Sequence, residues 1–82
     1  MSEQRYNINR VADRIGGMVA DFITQRGYGG TFRAKDLHDY VGNITAPASA
    51  DRILRLLRQQ GILGYEVLNR SQSLYLVTRV PS

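Results

Sequence analysis

Along the chain the spacing of apolar residues changes from helical to alternating, and that change divides the sequence into elements. Ile8, Val11, Ala12, Ile15, Met18, Val19, Phe22 and Ile23 recur at three- and four-residue intervals. At 100° per residue they share one helical face about 140° wide. This predicts a long first helix over about residues 8 to 26, capped by Asn7 or Asn9. Gly27 in a left-handed conformation ends it, with Tyr28 making an apolar contact behind the stop. Gly16-Gly17 interrupts the pattern, and each glycine costs about 1 kcal/mol against alanine inside a helix. Gly16 edges the apolar stripe, where it would admit a neighbouring helix. Gly17 points away, so either a partner approaches that face or the helix tolerates the defect.

Tyr28-Gly-Gly-Thr-Phe-Arg33 reads as a turn into a short extended piece, a small first strand. Ala34, Leu37, Tyr40 and Val41 mark a two-turn second helix stopped by Gly42, with Asn43-Ile44-Thr45 as connector and Ile44 plugging the corner. Its start is ambiguous: Arg33 is a poor N-cap, and capping by Thr31 would put Phe32 in the first turn. Beyond Gly61 the period becomes two. Leu63, Tyr65 and Val67 alternate with Gly64, Glu66 and Leu68, and Leu74 to Val80 is rich in strand-favouring residues. The polar run Asn69-Arg-Ser-Gln-Ser73 between them suits a hairpin loop, with Arg70 near its tip.

The segment from Thr45 to Gly61 carries the most chemical information. Ala50, Ile53, Leu54 and Leu57 form its apolar stripe, Pro47 suits a first-turn position, and Gly61 suits the left-handed stop. Opposite the stripe cluster Ala48, Arg52, Arg55 and Gln59, with Ser49 and Arg58 on the flanks. Guanidinium, amide and hydroxyl groups on one helix face are donors suited to base edges and phosphates. The same pattern also describes a solvated surface helix. Leu56 falls outside the stripe and beside the basic face, where it either packs under the turn or marks an interface.

Charge sharpens this picture. The net charge is +4. Residues 1 to 50 carry six basic and five acidic groups, whereas 51 to 82 carry five arginines against Asp51 and Glu66. The excess therefore lies on the third helix and hairpin. All basic residues but Lys35 are arginine, whose planar fork suits bidentate contact with phosphate or guanine. With 82 residues the chain makes one domain, residues 1–82 with an ordered core of about 7–80. A domain this small buries only about 60% of its unfolded surface. The absence of cysteine excludes disulfides, a zinc-finger cysteine set and a thiol nucleophile. No run reaches membrane-spanning length and no signal core opens the chain, so a soluble, cytoplasmic protein is expected. The ends around Met1 to Arg5 and at Pro81-Ser82 are expected to fray.

Phe32-Arg-Ala-Lys-Asp-Leu37, then Ala50-Asp-Arg-Ile-Leu-Arg-Leu-Leu57, then Gly61-Ile-Leu and a strand pair together resemble the winged helix-turn-helix regulators of bacteria, archaea and their phages and plasmids. The likeness covers about residues 8 to 80. It implies an α+β fold of three helices, a short strand and a C-terminal β-hairpin wing, with the third helix in the major groove. By position it places Ser49, Arg52 and Arg55 at bases, Thr45 and Arg58 nearer phosphates, and Arg70 on the wing. The chain departs from the family at Arg33, which stands where a hydroxyl cap is usual.

The expected function is sequence-selective binding of double-stranded DNA by a small transcriptional regulator, without cofactor. The alternative is a winged-helix protein–protein adaptor whose third helix meets an acidic partner, since fold alone does not decide between them. Gly17, Leu56 and the small core suggest a homodimer through the first helix or the wing. Catalysis finds little support: the only histidine, His38, sits between Asp36 and Asp39 without a nucleophile or a set of metal ligands at suitable spacing. Gly27-Tyr-Gly-Gly30 follows a helix and precedes no lysine-serine pair, so it reads as a turn and not a phosphate loop. Tyr6, Tyr28, Tyr40, Tyr65 and Tyr75 could stack on unpaired bases, but Tyr65 and Tyr75 are better placed to pair across the hairpin.

Overall fold

The computed structural model describes residues 3–81, with side chains described from Arg14 onward. It is an α+β domain of three α-helices and a three-stranded antiparallel sheet. The order along the chain is α1 (Glu3–Arg26), β1 (Thr31–Arg33), α2 (Ala34–Val41), a 3-10 turn (Gly42–Ile44), α3 (Pro47–Gln59), β2 (Gly64–Asn69) and β3 (Leu74–Arg79). In the sheet β3 lies between β1 and β2. The C-terminal hairpin therefore reaches back to pair with a strand formed before α2.

α1 begins at Glu3, so Asn7 and Asn9 lie inside it and neither is its cap. Nothing between Glu3 and Ile8 breaks a helix, and an interior asparagine costs only a few tenths of a kcal/mol more than better formers. Of the ends expected to fray, Glu3–Arg5 is helical, and Met1, Ser2 and Ser82 lie outside the described residues. The side chains of Tyr6, Ile8, Val11 and Ala12 also lie outside them. From Ile15 on, the predicted stripe is the one that packs: Ile15, Val19, Phe22 and Ile23 are buried, with Met18 against them. Gly27 ends the helix at φ +78°, as expected. Tyr28 does not make the expected contact behind this stop; it is 80% exposed. The turn is held instead by backbone bonds, Gly29 N–H to Val77 O at 2.9 Å and Val77 N–H to Gly30 O at 2.8 Å.

The first strand is three residues long and alternates, with Phe32 buried between exposed Thr31 and Arg33. Phe32 pairs with Tyr75 in the ladder and meets Phe22 edge-on at 5.4 Å. One residue thus ties sheet to helix, and its burial requires β1 to be in this register. The doubtful start of α2 resolves at Arg33. The Arg33 N–H donates to the Asp36 carboxylate at 2.9 Å, the reciprocal half of a capping box, and no side-chain cap hydrogen bond comes from Arg33 itself. Leu37 and Val41 bury the inner face of α2. Ile44 is 50% exposed and does not plug the corner; it sits in the 3-10 turn that follows the buried Val41.

Beneath all three helices the core closes on Ala50 and Leu54 of α3, Leu63, and Val77 of β3, each at most 4% exposed. Burying Leu54, Leu63 and Val77 stabilises the domain by about 1.5–3 kcal/mol each relative to leaving them exposed. Covering by the helices stops partway along the hairpin: Gly64 and Tyr65 are half-buried, whereas the rest of β2 is exposed. Val67 is therefore 46% exposed, although it shares the expected inward alternation with Tyr65. The ladder is irregular between Val67 and Asn69, where Leu68 stands without a paired residue on β3. Such a bulge turns a side chain outward, and Leu68 is 52% exposed.

Candidate functional site

α3 is placed by its apolar stripe. Ala50 and Leu54 are buried and Ile53 and Leu57 pack around them, which leaves the opposite face in solvent. Pro47 occupies the first turn, where its missing N–H is harmless. Ala46 caps without a side-chain acceptor, and its carbonyl takes the Ser49 and Ala50 N–H groups at 3.0 and 3.1 Å. Gly61 at φ +77° closes the C-terminal end, with its N–H on Arg58 O and the Ile62 N–H on Leu57 O, both at 3.0 Å.

Ala48, Arg52, Arg55 and Gln59 are exposed together on the outer face, as their spacing predicts. Ser49 at its edge is half-buried, and Thr45 is half-buried in the connector before the helix. Leu56 lies among these polar residues at 44% exposure and does not pack under the turn. Arg58, expected nearer phosphates, is exposed and also stacks within the chain. Its guanidinium lies over the Tyr65 ring, 4.7 Å from the centroid, so it braces the end of α3 against β2. Burial raises the Tyr65 hydroxyl above its ordinary pKa, against the lowering effect of the Arg58 charge. Tyr65 and Tyr75 do pair across the hairpin at 5.2 Å, on the diagonal, since Tyr65 is opposite Val77 and Tyr75 opposite Val67.

Electrostatics around the helix follow from where its single carboxylate goes. Asp51 Oδ1 is 2.8 Å from His38 Nε2 of α2, a part-buried contact joining the two helices. Asp51 stands four residues before Arg55, a spacing at which it could have paired with it. Among the described residues no carboxylate forms an ion pair with Arg52, Arg55, Arg58 or Arg70. Arg52 and Arg55 are thus exposed with no ion-pair partner among the described residues.

Arg70 is exposed at the hairpin turn. The turn is shaped by Asn69, whose side-chain oxygen accepts from Ser71 Oγ at 2.8 Å and from the Gln72 N–H at 3.2 Å. Ser73 sits at φ 49°, and its carbonyl accepts the Ala34 N–H at 3.1 Å, fastening the turn to the start of α2. A second arginine arrives there: Arg33 Nη2 donates to Gln72 Oε1 at 3.3 Å. The local sequence gave no signal of this, because Arg33 meets Gln72 only through the pairing of Arg33 with Leu74 in the sheet. No hydrogen bond or ion pair joins Arg70 to α3 among the described residues.

A cleft of about 420 Å³ between α1 and α2 is lined by Phe22, Gln25, Arg26, Asp36, Asp39 and Tyr40. Its polar groups largely satisfy one another, with Gln25 Nε2 on Tyr40 Oη at 3.1 Å and Arg26 3.8 Å from Asp36. Among the described residues no cluster of three or more His, Asp or Glu side chains could hold a metal ion, and no helix is long and apolar enough to cross a membrane. A Cβ built at Gly16 or Gly17 meets nothing within 4 Å, so among the described residues the expected close approach of a neighbouring helix at Gly16 is not made. Comparison with models of known families, with curated proteins and with solved structures finds no match to this chain.

Proposed function

We propose that the protein binds double-stranded DNA selectively, as a small transcriptional regulator of winged helix-turn-helix type. The observation that carries the reading is the outer face of α3: Arg52, Arg55 and Gln59 are exposed together, while the helix's only carboxylate is engaged with His38. A helix presented this way fits a major groove, where arginine can address guanine and glutamine adenine. Two further features support it. The element order, three helices with a short strand and a C-terminal hairpin, is compatible with a winged layout, and the hairpin turn carries Arg70 with Arg33 beside it. Phosphate contacts from the hairpin would fix register, and α3 would read bases. Occupying an operator needs no further domain, and a homodimer would address two half-sites.

Fluorescence anisotropy of the protein against random duplex and duplex from its own promoter region, at two salt concentrations, tests this. Steep weakening with salt and preference for the promoter duplex are expected. Arg52→Ala should relax base preference at one position by about 1–3 kcal/mol, whereas Arg70→Ala should weaken all duplexes evenly and lower the salt slope by about one. Absence of binding to either duplex at low salt would overturn the proposal and direct attention to an acidic protein partner of the same helix.

A further inference from the structure

We infer that Leu56 is a specificity-determining residue that reads the C5-methyl group of a thymine; the inference rests on the DNA-binding reading above. Ala48, Arg52 and Leu56 follow one another at four-residue spacing, so each is about 6 Å further along the helix axis and about 40° further round it. Arg55, Ala48, Gln59, Arg52, Leu56 and Ser49 then lie within one sector about 120° wide. Leu56 is inside the basic face, one turn beyond Arg52, and 44% exposed.

Its surroundings select the occupant. The α3 neighbours of Leu56 at three- and four-residue spacing are Arg52, Ile53, Gln59 and Gln60, of which only Ile53 is apolar, and Ile53 is packed against the core. A leucine flanked on its helix by a guanidinium, two amides and a core-packed isoleucine is too small an apolar patch to hold a protein partner, which needs a contiguous surface. It is the right size for one methyl group. The exposed arginines beside it attract a polyanion, and thymine is the base that offers a methyl in the major groove next to hydrogen-bonding edges. Gln59, one turn on, carries the amide that suits the adenine of such a pair.

The test begins with selection of the preferred duplex from a random library by the full chain. Each thymine of that duplex is then replaced singly by deoxyuridine, which removes the methyl and nothing else. Affinities are measured for the wild type and Leu56→Ala. Alanine keeps the helix and the exposed position, so folding is not at issue. At one thymine, loss of the methyl is expected to weaken the wild type about fourfold, the equivalent of one methyl-sized apolar contact. The same replacement should leave Leu56→Ala unchanged. Equal deoxyuridine effects in both proteins, or none at any thymine, overturn the role of Leu56 while leaving duplex binding intact. Failure of the library to enrich any sequence overturns the DNA reading, and this inference with it.

Discussion

Gly16 and Gly17 offer a perturbation whose sign separates a free α1 from a covered one. Both sit in the interior of α1, and a Cβ built on either meets nothing within 4 Å. Neither has a positive φ, so alanine fits the backbone without strain. Each replacement by alanine removes a helix-propensity penalty of about 1 kcal/mol. The unfolding entropy expected for a domain of this length converts 1 kcal/mol into about 6 °C. Gly16→Ala and Gly17→Ala should therefore each raise Tm by about 6 °C, and the double variant by about 12 °C, measured by circular dichroism at low protein concentration. Independence matters, because the two Cβ atoms point to different sides of the helix and should add. The melts are then repeated over a hundredfold range of concentration. A loss of stability in either variant, growing with concentration, would refute the reasoning from open space. It would mean that another chain packs across the glycines, because the added methyl groups meet nothing among the described residues and a loss that grows with concentration requires a second molecule.

Other variants probe the scaffold beneath the candidate interface. Gly30→Ala should destabilise severely, by about 1–3 kcal/mol or more, because its Cβ would collide with the Arg26 carbonyl; urea denaturation checks this, and an unchanged midpoint would contradict the turn geometry. Leu54→Ala should cost about 2–5 kcal/mol, a large share of the stability of a domain this size, and should weaken DNA binding only through unfolding. The His38–Asp51 contact should show a coupling of about 0.5–1 kcal/mol in a double-mutant cycle with His38→Ala and Asp51→Ala at neutral pH. Zero coupling would mean the two helices are held by apolar contacts alone. Tyr65→Phe should keep the platform under Arg58. It should also flatten the stability profile above pH 10, since a phenol whose pKa is raised on folding contributes stability that is present below its unfolded value and fades as pH rises past it. A steeper alkaline loss in Tyr65→Phe than in the wild type would reverse that sign.

Helical period, strand alternation and stop signals made the elements legible in order and nearly in extent. Gly27 and Gly61 stop their helices in the left-handed conformation, and the Ala50–Leu54 stripe of α3 is buried as its spacing requires. Elsewhere local pattern misled where burial depends on what another segment covers. Tyr28, Ile44 and Val67 have apolar bodies at positions the pattern assigns inward, yet each is exposed. The basic face of α3 was legible because a helix's own period fixes which side chains oppose a buried stripe.

By itself, then, the sequence determined the order of elements, which face of each helix is apolar, and the run of arginines opposite that face. Those properties arise from contacts a few residues apart, and periodicity records them directly. The tertiary structure alone decided the rest. It paired β1 with β3, which brought Arg33 to the hairpin turn across 39 residues. It also joined His38 to Asp51 and thereby left Arg52 and Arg55 without an acidic partner, and it laid Arg58 on Tyr65. Each of these depends on how separate elements pack, and packing is settled by complementary shape and register that no single segment encodes.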